Sequence, residues 1–171
     1  AIFTAAGPGG GPHISIFDIK GELINQFFAF KNNFRGGVNV ASADVNNDGK
    51  DEIIAVQASN GDSEVKIFNG AGGFLSSFYA YNSKFKGGLN LATGDVDGDG
   101  RNDLLFVLAG SLQYYLGTTV GFSSSATTVA TISGSAQRLE AGDLDGEGKL
   151  DIVVGNASGV LSTFIGSSSG T

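Results

Sequence analysis

The feature that most constrains this chain is a nine-residue acidic stretch that occurs three times. Asp95-Val96-Asp97-Gly98-Asp99-Gly100-Arg101-Asn102-Asp103 is the fullest copy. Asp44-Val45-Asn46-Asn47-Asp48-Gly49-Lys50-Asp51-Glu52 precedes it by 51 residues, and Asp143-Leu144-Asp145-Gly146-Glu147-Gly148-Lys149-Leu150-Asp151 follows it by 48. Oxygen-bearing side chains stand at positions 1, 3, 5 and 9, with Gly at position 6. In a tight loop alternate side chains turn inward, so the first three converge, while the carbonyl of position 7 and the acid of position 9 close the far side. That is a hard-oxygen cage suited to Ca2+. One such turn reads equally well as a solvated hairpin, but three in the same context favour the cation.

Each stretch runs into a short apolar segment: Ile53-Ile54-Ala55-Val56, Leu104-Leu105-Phe106-Val107-Leu108 and Ile152-Val153-Val154. These read as buried strands. Position 9 closes the cage where an EF-hand uses position 12, which leaves no place for a following helix. A period near 50 marks a repeat architecture in which neighbouring units share a core.

A second signature keeps the same step. Phe27-Phe28-Ala29-Phe30-Lys31-Asn32-Asn33-Phe34-Arg35-Gly36-Gly37-Val38-Asn39-Val40 recurs 51 residues later as Phe78-Tyr79-Ala80-Tyr81-Asn82-Ser83-Lys84-Phe85-Lys86-Gly87-Gly88-Leu89-Asn90-Leu91. The alternation at Val38–Val40 and Leu89–Leu91 predicts a strand leading into each acidic loop, and the aromatic run before it the outermost strand of the preceding unit. His13–Phe17 matches Glu64–Phe68, and Ile2–Ala5 stands where Ile53–Val56 stands later. Each unit therefore holds four strands, with the acidic loop between the first and the second. The 171 residues hold about three and a half units: an incomplete first unit over 1–37, full units over 38–88 and 89–136, and an incomplete last unit over 137–171. The fold class is all-β, with fourteen strands shared three, four, four and three among the units.

Charge and composition narrow the function. Of the 17 acidic residues 12 lie in the three loops, so three Ca2+ ions would bring the net charge from −7 to about −1. The ten basic residues are scattered, with no stripe to follow a phosphate backbone, which argues against nucleic acid. With no Cys, thiolate zinc sites, redox chemistry and disulfides are excluded, and Ca2+ can take the stapling role. No apolar run reaches membrane-spanning length, so no membrane insertion is expected. A chain that begins at Ala1 and holds no Met reads as a processed product or an excised segment of a longer reading frame, and a removed secretory leader fits it.

Other features have plain readings. Gly7-Pro8-Gly9-Gly10-Gly11-Pro12 lies between two strands with no helix start or Lys after it, so it is a loop rather than a phosphate cradle. His13, the only His, begins a strand and is structural. Residues 118–134 are rich in Ser, Thr and Gly and read as an edge strand with a polar loop, and Asn156-Ala157-Ser158 is a formal glycosylation sequon. The aromatic rows pack between units more readily than they stack on sugars. Catalysis has no nucleophile and base pair to stand on, and the paired acids are used in the loops, so the chain is not expected to be an enzyme.

At these residues the chain resembles the FG-GAP/VCBS repeat family, whose units are blades of integrin alpha-like beta-propellers. The resemblance implies a beta-propeller-like array of four-stranded antiparallel blades, not a complete closed ring by itself, with up to three Ca2+. It implies side-chain ligands Asp95, Asp97, Asp99 and Asp103 with the Arg101 carbonyl. Asp44, Asn46, Asp48 and Glu52 with Lys50 follow in the first loop, and Asp143, Asp145, Glu147 and Asp151 with Lys149 in the third. Glu52 and Glu147 depart from the usual Asp, and the added methylene of Glu147 alters that site's reach. The function implied is an extracellular or cell-surface calcium-binding structural or adhesive module. Its partners would be further copies of itself, neighbouring blades of a longer chain, or other surface proteins. Alternatives are a carbohydrate-binding propeller whose partners are glycans, and a non-catalytic segment of a larger secreted surface protein or hydrolase.

Overall fold

A computed structural model of the chain describes residues 1–82, 84–108, 110–119, 121–132 and 136–166. Among them are sixteen β-strands, all paired antiparallel, and no helix. They fall into two compact units, residues 1–43 with 50–89 and residues 44–49 with 90–171.

In the first unit β1 (Ile2–Ala5), β2 (His13–Phe17) and β3 (Leu23–Phe28) form one sheet in that order, and β4 (Val38–Ala43), β5 (Glu52–Gln57), β6 (Glu64–Phe68) and β7 (Phe74–Tyr79) form a second. The 51-residue step visible in the sequence is kept in the register. His13 faces Phe28 as Glu64 faces Tyr79, and a β-bulge falls between Ile16 and Phe17 as it does between Ile67 and Phe68. A bulge repeated at the same place is a built feature that sets the twist of the outer strand. Alternation does what it predicts: Ile14 and Ile16 of β2, and Val65 and Ile67 of β6, are buried, with Ser15 and Lys66 between them half-buried. β5 is buried along Ile53–Val56 because it is an interior strand of its sheet.

Ile14, Ile16, Ala29, Phe30, Val38, Ile53, Ala55 and Phe68 form one core drawn from both sheets. A buried Ile or Phe contributes about 1.5–3 kcal/mol. Phe27 of β3 meets Phe68 of β6 at 4.8 Å between ring centroids, and Phe30 is buried, so these members of the aromatic row pack between sheets as expected. Phe28, Tyr79 and Tyr81 are exposed instead. The two sheets are stitched where the second begins: the Val38 N–H donates to the Ala6 carbonyl at 2.9 Å. Leu89 repeats the bond to Gln57, again at 2.9 Å.

The Gly-Gly pair before each stitch has a steric cause. Gly37 is left-handed, with φ 77°, and a Cβ on it would lie 2.5 Å from the Gly7 carbonyl carbon and the Pro8 nitrogen. Gly88, at φ 75°, would strike Ala58 and Ser59 in the same way, while the Phe34 and Phe85 rings cover Gly36 and Gly87. Only glycine combines that torsion with that approach. The Gly-Pro-rich stretch is the connection from β1 to β2, and the His13 ring meets Phe28 in a tilted contact at 5.2 Å between centroids.

The second unit holds β8 (Asn90–Gly94), β9 (Asp103–Leu108), β10 (Ser111–Tyr115) and β13 (Thr127–Thr131) in the order β13-β10-β9-β8, and β14 (Ala136–Gly142), β15 (Asp151–Asn156) and β16 (Leu161–Phe164) in a three-stranded sheet. Their shared core includes Leu105, Leu112, Ile132, Leu139, Ile152 and Val154. β13 is the expected edge strand, but the stretch before it also carries a small hairpin, β11 (Gly117–Thr118) with β12 (Gly121–Phe122). Val120 and residues 133–134 of that expectation lie outside the described residues, as does Ser83. The sequon Asn156 is used in a turn, its Oδ1 accepting the Ser158 and Val160 N–H groups. Setting β11 and β12 aside, the main sheets of the described residues hold three, four, four and three strands.

Candidate metal centres

All three acidic stretches connect the first two strands that they join in the same way. Ala43 pairs with Glu52, Gly94 with Asp103 and Gly142 with Asp151, so position 9 is the first residue of the outgoing strand in each case. Two left-handed residues make the turn. Position 6 is Gly49, Gly100 or Gly148, with φ of 83°, 85° and 84°, and position 4 is Asn47, Gly98 or Gly146, with φ of 61°, 78° and 81°. Position 4 is a requirement that the reading of positions 1, 3, 5, 6 and 9 misses. Its signal is present in the sequence, since only Gly and Asn, the residues that enter this region most cheaply, occupy it.

The first acid of each loop gathers backbone N–H groups. Asp95 Oδ1 accepts from Gly98 at 2.7 Å and Asp99 at 3.1 Å, and its Oδ2 from Gly100 at 2.8 Å. Asp143 accepts from Gly146 and Gly148, and Asp44 from Asp48 and Gly49. Position 3 accepts one N–H from position 5 in each loop, through Asn46, Asp97 and Asp145. At Asp44 burial raises the pKa, but the N–H groups of Gly49, Asp48, Asn47 and Asn46 outweigh it and hold the carboxyl below its ordinary value. A carboxylate so solvated by the backbone stays ionised while aimed into its own loop.

Position 9 behaves differently. Glu52, Asp103 and Asp151 are 2%, 1% and 0% exposed and are the buried acids of the described residues. Asp103 is pushed up by burial; the Gly117 and Val96 N–H groups pull it down in part, and the charges of Asp97 and Asp95 raise it further. Asp151 goes the other way, because the N–H groups of Gly166 and Leu144 outweigh its burial. The directions differ because burial weighs most at Asp103, with the charges of Asp97 and Asp95 adding to it, whereas backbone N–H groups, that of Asp145 among them, weigh most at Asp151. Mutual repulsion of that kind is relieved by a bound cation.

Asp95, Asp97 and Asp99 offer oxygens within 4.8 Å of one another, as do Asp143, Asp145 and Asp151. The two sets differ in membership. Asp103 stands outside the first, and Glu147 stands outside the second with its carboxylate 3.3 Å from Lys149 Nζ. Asp99 keeps its place although it pairs with Arg101. All donors are hard oxygens, which fits Ca2+ and does not fit a metal that prefers nitrogen or sulfur. Lys50, Arg101 and Lys149, expected to serve through their carbonyls, occupy position 7 of the loops. The Asp95 and Asp143 loops also border a cleft of about 540 Å³ lined by Val129, Ile152 and Phe164.

This combination defines an all-β repeat protein in which three of the four main antiparallel sheets of the described residues carry an acidic hairpin loop between their first two strands. The FG-GAP-like repeat matches residues 44–106 and 95–154, each match running from the first acid of one loop into the strand after the next. Together they cover about two thirds of the chain, which belongs to the FG-GAP-like repeat family. No curated protein matches it. Family and acidic clusters together support a non-catalytic, calcium-associated repeat module. No helix among the described residues is long and apolar enough to cross a membrane.

Proposed function

We propose that the chain is an array of beta-propeller blades, stabilised by up to three Ca2+, that serves as an extracellular structural or adhesive module through protein contacts. The observation that carries this is the threefold hairpin loop with its acid at the same register point, within a family of such repeats. Asp95, Asp97 and Asp99 with Asp103 and the Arg101 carbonyl hold one ion. Asp44, Asn46, Asp48 and Glu52 with the Lys50 carbonyl hold another, and Asp143, Asp145 and Asp151 with Glu147 and the Lys149 carbonyl the third. The blades divide as 1–37, 38–88, 89–136 and 137–171. Calcium outside cells suffices for sites of about 10⁻⁴–10⁻³ M. Melting in 10 mM Ca2+ and in chelator tests the reading, and equal midpoints refute it.

Head-to-tail association of copies is part of the proposal. Among the described residues β16 stands at the edge of its sheet and exposes Leu161 at 71%. An exposed apolar sheet edge is a pairing surface, and two unlike surfaces that bind each other propagate into a ring or filament. Sedimentation in Ca2+ that finds only monomer at micromolar concentration refutes this part. A second reading, carbohydrate binding, draws on the cleft beside the Asp95 and Asp143 loops, and a glycan array in Ca2+ separates it from the first.

A further inference from the structure

The buried acids at position 9 lead outside the loops. Asp103 Oδ2 accepts the Val96 N–H at 2.8 Å, and its Oδ1 accepts the Gly117 N–H at 2.7 Å from fourteen residues further on. Asp151 repeats this with Leu144 at 2.7 Å and Gly166 at 2.8 Å, the latter fifteen residues on. Each carboxylate thus joins the second residue of its loop to a glycine that follows the third strand of its sheet. N–H bonds to a buried carboxylate are among the stronger ones, and losing one leaves a desolvated group unsatisfied.

These glycines also press on the back of the loop. A Cβ on Gly117 would collide with the Asn102 carbonyl and come 3.1 Å from Arg101 Cβ, and one on Gly166 would lie 2.7 Å from the Leu150 carbonyl and 3.1 Å from Lys149 Cβ. Those are loop positions 8 and 7. Gly70 stands in the same relation to Asp51, at 3.1 Å from its carbonyl. The pairings of Ile2 with Phe17, Ile53 with Phe68, Leu104 with Tyr115 and Ile152 with Phe164 align the four sheets, and place Ile19 where the others have glycine. Ile19 is 88% exposed and has no acidic loop of the described residues against it, whereas each of the three glycines has one.

We propose that Gly117 and Gly166 are positioning residues of the metal loops, acting through Asp103 and Asp151. The glycine N–H fixes the buried acid, the acid fixes the loop's second residue, and the bare glycine backbone seats positions 7 and 8. The position-9 acid is in this sense a clamp before it is a ligand. The inference rests on the calcium reading of the loops.

The test titrates Ca2+ into the chain and follows the Gly100 and Gly148 amides by NMR, which report the second and third loops separately. Gly117→Ala is expected to weaken binding at Gly100 about tenfold while Gly148 stays within twofold, and Gly155→Ala, whose Cβ meets only an ordinary contact at 3.4 Å, is the control. A folded Gly117→Ala chain with an unchanged Gly100 midpoint overturns the proposal, as does an equal shift at both amides. Should that variant not fold, Asp103→Asn in chelator decides: a lower urea midpoint than the parent supports the clamp, and an equal one overturns it. If the parent shows no Ca2+ response, the calcium reading fails, and the Asp103→Asn measurement still decides the clamp.

Discussion

Asp95→Ala and Asp143→Ala remove the same loop position from two sites, and the structure ranks their costs. Asp95 accepts three backbone N–H groups and Asp143 two. Both loops are exposed, so water replaces part of each lost bond, and about 0.5–1.5 kcal/mol per bond is the appropriate scale. In chelator the expected losses are roughly 1.5–4.5 kcal/mol for Asp95→Ala and 1–3 kcal/mol for Asp143→Ala. Calcium widens the gap. A site at 10⁻⁴–10⁻³ M in 10 mM Ca2+ adds about 1.4–2.7 kcal/mol through mass action, and each variant forfeits that at its own loop. The Asp95 loop keeps its first three acids converged, whereas Glu147 has turned to Lys149, so on the proposed calcium reading the Asp95 site is expected to be tighter than the Asp143 site. Urea denaturation at fixed m, with and without Ca2+, measures both parts. A reversed order in Ca2+, or an Asp95→Ala cost that is the same in chelator and in Ca2+, refutes the reasoning.

Gly37→Ala should cost more than about 3 kcal/mol, since it adds a left-handed penalty to a collision with Gly7 and Pro8; Gly11→Ala, with only Phe28 nearby at 4.0 Å, should be nearly silent in the same melting series. Asn47→Ala should lose about 1–2 kcal/mol because Asn47 is left-handed at φ 61°, while Asn47→Gly should lose little or gain, and equal melting of the two would exclude torsional strain as the cause. Leu161→Lys, on the exposed edge β16, should shift sedimentation toward monomer without lowering the urea midpoint by more than about 0.5 kcal/mol.

What the sequence made legible is what repeats locally. Strand alternation at Ile14 and Ile16, the four strands per full sheet and the acidic spacing all depend on neighbours within a few residues, so a single pass along the chain exposes them. The β11–β12 hairpin was not legible, because two-residue strands carry no periodicity. The partition of the aromatic rows was hidden for another reason: Phe27 and Phe28 are adjacent and identical, and only the pleat sends one into the core and the other to solvent. In the loops the limit is sharper still. The spacing of acids treats positions 1, 3, 5 and 9 as four equal ligands, yet position 9 sits on a strand with both oxygens engaged by N–H groups that are distant in sequence in one case and local in the other. Gly117 and Gly166 differ by 49 residues, Gly70 and Gly117 by 47, and neither spacing is the 51 or 48 of the loops. Insertions within the repeats blur the period, so the glycines align only once strand register is known. A loop that borrows its rigidity from the far end of its own sheet therefore looks self-contained in sequence, and the residues that give it that rigidity are found from hydrogen bonds rather than from a motif.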